Sequence, residues 1–370
     1  MKKILFIIGT RPEAIKLAPV VIEMKKSLSL KPILCLTGQH REMIKQVTDF
    51  FELEFEYNID VMTNNQSLSN LSSLLLTKIE LVITEVEPDY IMVQGDTTTS
   101  MIGALSGFYK GVKIIHVEAG LRSFNNRSPF PEEINRKITG QMADIHFTPT
   151  LESSENLLNE NVPKGKIHLV GNTVVDALLH GKEKIKRASW EDALPSLEPI
   201  GPHKKIILVT GHRRENFGTP LQNICSALLT LSEIKDVEII YPVHLNPNVK
   251  NIVYELISGI ENIHLIEPVN YASMIFLMSK SYIILTDSGG IQEEAPTLKK
   301  PVLIMREVTE RMEGVNAGMA KLVGTNPEMI IKYAKKLIES KNYYKQMTIG
   351  DNPYGDGKSS SRIVKVLESI

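Results

Sequence analysis

Lys2-Lys3-Ile4-Leu5-Phe6-Ile7-Ile8-Gly9-Thr10-Arg11-Pro12-Glu13 is echoed two hundred residues on by Lys204-Lys205-Ile206-Ile207-Leu208-Val209-Thr210-Gly211-His212-Arg213-Arg214-Glu215. Each stretch is a short apolar run rich in β-branched residues, closed by a glycine and followed at once by a basic residue. That is the spelling of a buried strand, a tight turn and the start of a helix or loop, written twice in one chain.

Working outward, further runs at residues 32–36, 90–93, 113–117 and 145–147 read as strands, with helically spaced segments between them. The rhythm is that of βαβ units, so the expectation is α/β with a parallel, doubly wound sheet. After Gly171-Asn172-Thr173 comes a charged stretch. Residues 190–202 follow, and Pro195, Pro199 and Pro202 mark them as an irregular connector. The pattern then restarts, with strands expected near 238–241, 264–266, 282–285 and 301–305. The reading is two Rossmann-like domains facing a central cleft, 1–170 and 171–356. A chain of 370 residues fits this division, since single cores rarely serve so long a chain.

Composition excludes several classes of protein. Lys plus Arg number 42 against 43 Asp plus Glu, so the chain as a whole has no field to hold a nucleic acid or an anionic membrane. An apolar fraction of 42% with 23% charged residues is that of a folded globular protein. Cys35 and Cys225 lie in apolar patterns without CxxC spacing and read as buried, reduced thiols. The apolar run at 4–8 is cut by Gly9, short of a secretory core, and no uncharged stretch approaches the roughly 18 residues of a membrane span. The expectation is a soluble, cytoplasmic protein.

Ligands of open α/β sheets bind beyond the carboxyl ends of the strands. The residues there are Thr10-Arg11, Gln39-His40, Gly95-Asp96, Glu118, His212-Arg213, His244, Asp287-Ser288-Gly289-Gly290 and Arg306. Arg, His, Asp and Glu recur at these positions. Asp287-Ser288-Gly289-Gly290 between a strand and a helix presents free backbone N–H groups suited to phosphate, with Glu294 one turn on for ribose hydroxyls; a capped turn with a solvated Glu294 is the plainer use. Arg11 can reach an anion after the first glycine turn, while Lys16 is divided between the same anion and a solvated face. His212 can donate to phosphate or act as an acid.

Asp96 and Glu118 follow adjacent strands, as a paired acid and base would; Asp96 has the alternative of capping the next helix. Glu132 and Glu133 open a helix after Pro131, and the pairs Glu132 with Arg136 and Glu133 with Lys137 are expected on its surface. Its place after the loop at 122–128 makes Glu132 a catalytic candidate. There is no Walker A loop, no G-x-G-x-x-G opening, no His-Glu-x-x-His, no His-x-His and no EF-hand spacing, so neither metal nor nicotinamide cofactor is expected.

The segments 9–19, 39–43, 95–99, 116–122, 129–136, 171–173, 212–216, 242–247, 287–296, 310–311 and 352–357, in this order, resemble the non-hydrolysing UDP-N-acetylglucosamine 2-epimerases. The resemblance implies a glycosyltransferase-B type fold, a homodimer, and a C-terminal helix at about 357–370 that crosses back onto the first domain. It implies UDP against Arg11, His212, Ser288, Gly289, Gly290, Glu294 and Arg311 with Lys16 nearby, and Asp96, Glu118 and Glu132 as acid–base carboxylates. It also implies activation by UDP-GlcNAc itself at positions resembling Gln39, Glu42, Gln66, Glu132, Arg213 and His244. Asn65 stands where some members carry Arg, and residues 269–274 depart from members with Gln and Phe near uracil.

Inverting C2 of an N-acetylhexosamine requires that its C–H be acidified. Without a nicotinamide, loss of UDP from C1 is the route left, through a 2-acetamidoglucal, and the resemblance implies the same. The expected partners are therefore UDP-GlcNAc and UDP-ManNAc, with the product serving cell-surface polysaccharide, and neither nucleic acid nor membrane. A hydrolysing epimerase releasing free ManNAc, a glycosyltransferase and a catalytically silent nucleotide-sugar binder remain alternatives on the same fold.

Overall fold

The computed structural model describes residues 1–38, 41–63 and 66–370, and of Arg41 and Glu42 the backbone only. The expectations placed on Gln39, His40, the Glu42 side chain and Asn65 lie outside the described residues. The chain forms two compact units, Met1–Leu179 with Tyr354–Ile370, and His180–Pro353.

In the first unit, β1 (Lys2–Ile8), β2 (Leu30–Leu36), β3 (Tyr57–Asn58), β4 (Tyr90–Gln94), β5 (Lys113–Val117), β6 (Ile145–Thr148) and β7 (Ile167–Leu169) form one parallel sheet. Among the described residues its order is β3-β2-β1-β4-β5-β6-β7. In the second unit, β8 (Lys205–Thr210), β9 (Val237–Pro242), β10 (Ile263–Ile266), β11 (Ile283–Thr286), β12 (Val302–Ile304) and β13 (Ala320–Leu322) are likewise parallel, ordered β10-β9-β8-β11-β12-β13. The direction of winding reverses between β1 and β4 in one sheet and between β8 and β11 in the other. These are the topological switch points at which such sheets open a crevice beyond their strand ends.

The expected strands are all present, and the central ones are apolar on both faces, as a sheet covered by helices on both sides requires. Leu5, Ile7, Ile91 and Val93 in the first unit, and Ile207, Val209, Ile239 and Leu285 in the second, are wholly buried. Three strands were not foreseen, β3, β7 and β13, of two or three residues each. The connector begins with a helical turn, Trp190–Ala193, rather than irregular chain. Trp190 packs edge-on against Phe276 at 5.1 Å, and Ser273 Oγ donates to the Ala193 carbonyl at 2.7 Å. Cys35 and Cys225 are free and buried, and burial pushes both thiols up to about 12, where they are inert. No helix among the described residues is long and apolar enough to cross a membrane.

The helix Ser359–Ser369 belongs to the first unit, where it packs on the helix Arg11–Met24 and buries Ile363, Val364 and Leu367. Its N-terminus carries no cap of its own, and Asp176 from the helix Thr173–Lys184 supplies one. The Asp176 carboxylate accepts from Ser359 N at 3.2 Å and Ser360 N at 2.8 Å. The preceding turn closes the same joint: Asn172 N donates to Tyr354 O at 2.7 Å, and a Cβ on Gly171 (φ +93°) would sit 2.7 Å from Ser359 Oγ. Gly171-Asn172-Thr173 is thus the seat of the returning chain.

Two expectations follow from this packing. Asp176→Ala removes a buried cap, so it should cost about 1–2 kcal/mol and speed amide exchange in the helix Ser359–Ser369 ahead of the sheet, as hydrogen-exchange mass spectrometry would show. The second concerns pH. Burial holds His116 neutral, its pKa pushed down to about 4 against a hydrogen bond to Gly95 O at 2.7 Å, with Arg122 and Arg136 nearby; burial and the neighbouring His116 bring His146 to about 3. Below the free value of 6.5 the unfolded chain takes up protons that the folded chain refuses. Stability present above that pH is therefore lost as pH falls toward about 4. The thermal midpoint should decline over this range, and His116→Gln should shallow the slope.

Candidate active site

The first unit's strand-end groups are organised by Glu13. This side chain, three residues into the helix Arg11–Met24, is buried. Its Oε2 accepts from Gly9 N at 2.7 Å and Thr10 N at 2.6 Å, and its Oε1 accepts from Ser100 Oγ at 2.8 Å and from Thr97 Oγ1. Burial pushes the carboxyl up, and these four hydrogen bonds oppose it. The turn after β1 is thereby tied to the turn after β4. Gly9 permits the approach, since a Cβ there would lie 2.3 Å from Thr99 Oγ1. Sequence reading gave Glu13 no role. The available signal was a Glu three residues after Thr10, the spacing of a capping box.

Arg11 opens the helix half-buried, and its guanidinium has no ion-pair partner among the described residues. Lys16 is not on a solvated face. It is 8% exposed and pairs with Glu118 Oε1. Glu118, one residue past β5, sits at φ +63°, a backbone region that costs a non-glycine residue free energy and persists where its surroundings hold it. What holds it is a ring of donors: Lys16 and Asn172 Nδ2 (3.3 Å) on Oε1, and Gln94 Nε2 on Oε2. Gln94 and Asn172 were missed in the sequence because their partner lies 24 and 54 residues away.

Asp96 does not cap the helix Thr98–Tyr109; Thr97 does, accepting from Ser100 N at 3.1 Å. The Asp96 carboxylate instead pairs with Arg136, and Asn135 Nδ2 donates to the Asp96 carbonyl at 2.9 Å. Both donors come from the helix Glu132–Met142, and of the pairs expected on its surface, Glu133 with Lys137 forms, though with its carboxylate turned inward. Glu133 is wholly buried and accepts from Ser123 N (2.9 Å), Phe124 N (3.2 Å) and Arg136 Nη1 (3.3 Å); Lys137 reaches it at 3.6 Å from the edge. The helix faces inward and fixes both the 122–128 loop and Asp96. Glu132 opens it half-buried. β4 and β5 are neighbours, and a Cβ on Gly95 would lie 3.4 Å from Glu118 Oε2, so the chain brings Glu118 alongside the residue preceding Asp96.

In the second unit the organising group is Asp287, fully buried after β11. Its Oδ2 accepts from His212 N (3.0 Å), Arg213 N (2.9 Å) and Asn216 Nδ2 (3.1 Å). The His212 ring stacks on His244, centroids 5.5 Å apart and 18° from parallel. Ser288 precedes the short helix Gly289–Glu294, and the hydroxyl of Ser288 caps nothing there. A Cβ on Gly290 would meet nothing within 4 Å, leaving its backbone open to a ligand; a Cβ on Gly289 would overlap the Arg311 guanidinium at 2.5 Å. Glu294 is 6% exposed, not a solvated residue.

Arg306 and Arg311 of this unit are matched by acids. Arg311 bonds Glu293 Oε1 at 2.7 Å and pairs with Glu310, while Arg306 bonds Glu215 at 2.7 Å and Glu310 at 2.9 Å. Burial alone would raise the Glu310 carboxyl, but Arg311, Arg306 and Arg213 outweigh it and hold it down to about 2. Arg213, 4.0 Å from Glu310, is the looser of the three. Of the residues expected to bind an activator, Gln66 lies in the first unit and donates to Val61 O at 3.0 Å; His244 lies in the second and accepts from Asn246 N at 3.1 Å. Among the described residues no group of three His, Cys, Asp or Glu is arranged to hold a metal ion.

A family model described as UDP-N-acetylglucosamine 2-epimerase matches residues 22–368. A UDP-N-acetylglucosamine 2-epimerase of Campylobacter jejuni is 48% identical over 373 aligned positions, covering 99% of this chain and 97% of its own. The crystal structure of UDP-GlcNAc 2-epimerase from Neisseria meningitidis bound to UDP-GlcNAc is 44% identical and superposes with a TM-score of 0.93, over the whole of both chains. The glycotransferase of kitacinnamycin, at 8% identity and a TM-score of 0.66 over 99% of this chain and 98% of its own, shares the fold alone and marks it as glycosyltransferase-B type. With a model covering almost every residue and a relative nearly half identical from end to end, this chain belongs to the UDP-N-acetylglucosamine 2-epimerase family.

Proposed function

We propose that the protein interconverts UDP-N-acetylglucosamine and UDP-N-acetylmannosamine by elimination and readdition of UDP, without releasing free sugar. The observation that carries this reading is a pair of carboxylates, Asp96 and Glu118, held by Arg136 and Lys16 at the ends of neighbouring strands in a chain of this family.

The chemistry follows from the weak acidity of C2–H. As the C1–O bond to the diphosphate breaks, positive charge develops at C1 and the C2 proton becomes removable. A carboxylate takes it, C1 and C2 become doubly bonded, and UDP and 2-acetamidoglucal are formed. UDP then adds back to C1 while C2 receives a proton on the opposite face, so a second acid is needed. Asp96, Glu118 and Glu132 are the groups assigned to these transfers. Arg11, Lys16, His212, Arg311, Glu294 and the Ser288-Gly289-Gly290 helix start are assigned to UDP, each charge-assisted contact contributing about 1.5–3 kcal/mol. Elimination and readdition move a proton and a diphosphate but no hydride, so this route needs no nicotinamide.

Activation by UDP-GlcNAc through Gln39, Glu42, Gln66, Glu132, Arg213 and His244, a homodimeric state, a cytoplasmic location and a product consumed in cell-surface polysaccharide belong to the same proposal.

Proton NMR of the protein with UDP-GlcNAc in deuterated water should show deuterium entering C2 and a stable mixture of the two UDP sugars; free N-acetylmannosamine would make the enzyme a hydrolase instead. Asp96→Asn should lower kcat by about a thousandfold or more. UDP affinity, read by calorimetry, should stay within about tenfold. Near-normal turnover in that variant would remove Asp96 from the chemistry.

A further inference from the structure

Asp287 is a buried carboxylate that the reaction above leaves without a task. Three donors converge on its Oδ2, from His212 N, Arg213 N and Asn216 Nδ2. Its other oxygen, Oδ1, is buried and accepts no hydrogen bond from the described residues. Facing that oxygen is His212 Nδ1, 3.6 Å away, a separation just beyond a direct hydrogen bond. Catalytic hydrogen bonds of this kind are often long before a ligand arrives and tighten when it does. The backbone N–H of His212 is already fixed to Oδ2, so only the ring has to move, and its stack on His244 holds the ring plane.

We propose that Asp287 is a positioning residue for His212: it keeps the ring proton on Nδ1, turned toward Oδ1, and leaves Nε2 as the nitrogen that meets the diphosphate. The inference rests on the assignment of His212 to UDP. In a histidine the hydrogen bond made by one ring nitrogen sets the protonation of the other. A free neutral side chain favours the proton on Nε2, so a carboxylate on the Nδ1 side reverses the ordinary preference. When the ring is protonated, the same carboxylate stabilises the cation, and the Nε2–H is the donor presented to a phosphate oxygen.

Asp287 comes from just after β11, His244 from the segment after β9, and Arg213, adjacent in the chain, lies 4.0 Å from Glu310. Tyr241 of β9 donates to the Gly211 carbonyl at 3.2 Å, and burial keeps its hydroxyl protonated. Arg213 and His244, when charged, disfavour a His212 cation, whereas Asp287 favours one.

The test uses the full-length protein labelled with 15N-histidine, with His212 identified by the signals lost in His212→Gln. Two-bond proton–nitrogen spectra across pH should show neutral His212 with its proton on Nδ1. Asp287→Asn should move the proton to Nε2 and lower the protonation midpoint by about one pH unit, a tenfold change in proton affinity. That variant should lose about a hundredfold or more in kcat with KM within about threefold, and Asp287→Glu should restore the Nδ1–H form. A neutral wild-type His212 with its proton on Nε2 would overturn the proposal, as would an Asp287→Asn protein with unchanged tautomer and midpoint. Should Asp287→Asn not fold, the wild-type spectrum decides. Failure of the epimerase reading is separate, since it would appear as no deuterium at C2 while the His212 tautomer stood unchanged.

Discussion

A carboxylate buried at the end of a parallel strand must be surrounded by donors, and here that requirement organises both units. Glu13 in the first and Asp287 in the second each take two consecutive backbone N–H groups from the glycine turn that follows the first strand of its unit: Gly9 and Thr10 in one, His212 and Arg213 in the other. The repeated strand-and-glycine stretch therefore carries a repeated electrostatic device. The anion comes from different places, from the turn's own helix in the first unit and from the neighbouring strand β11 in the second. Leaving either carboxylate without its donors would cost on the order of 1–3 kcal/mol for each unsatisfied group, which is why both turns are fixed by these contacts.

With the turns fixed, the remaining charges fall into two kinds. Lys16, Glu118, Asp96 and Arg136 form close ion pairs with little exposure, and Glu310 sits among three arginines. Buried pairs of this type add little net stability, because desolvation offsets attraction, yet breaking one partner is costly. Their value lies in holding these carboxylates still at the strand ends. Arg11, the hydroxyl of Ser288 and the open backbone at Gly290 are of the other kind, polar groups without such partners among the described residues and suited to a ligand.

Much of this was legible in the sequence, for reasons that can be named. Central strands are apolar on both faces, so 4–8, 90–93, 206–209 and 283–285 announce themselves, and the polar residue after each run locates the strand end. β3, β7 and β13 did not, because runs of two or three residues are too short to carry a period. Asp96, Glu118, Lys16 and His212 were legible as candidates by position. Their neighbours were not: Gln94 and Arg136 acquire meaning only when the sheet and the helix Glu132–Met142 bring them to Glu118 and Asp96. Glu133 misled because spacing of i and i+4 pairs two side chains without saying which face of the helix they occupy. Here that face is turned inward, toward a loop whose backbone needed an acceptor.

The docking of the helix Ser359–Ser369 against the helix Arg11–Met24 has a consequence for biosynthesis. The first unit is assembled from chain on both sides of the second, so while the chain is being made, the whole of residues 180–353 emerges before the seat at Gly171-Asn172-Thr173 can be filled. During that interval the surface that later covers Ile363, Val364 and Leu367 faces water, and Asp176 lacks the N–H groups it will cap. The second unit, continuous in sequence, can complete its core first. A nascent chain of this protein thus passes through a stage with one finished unit and one exposed apolar seam, the stage at which a chaperone or a wrongly placed helix would compete for it.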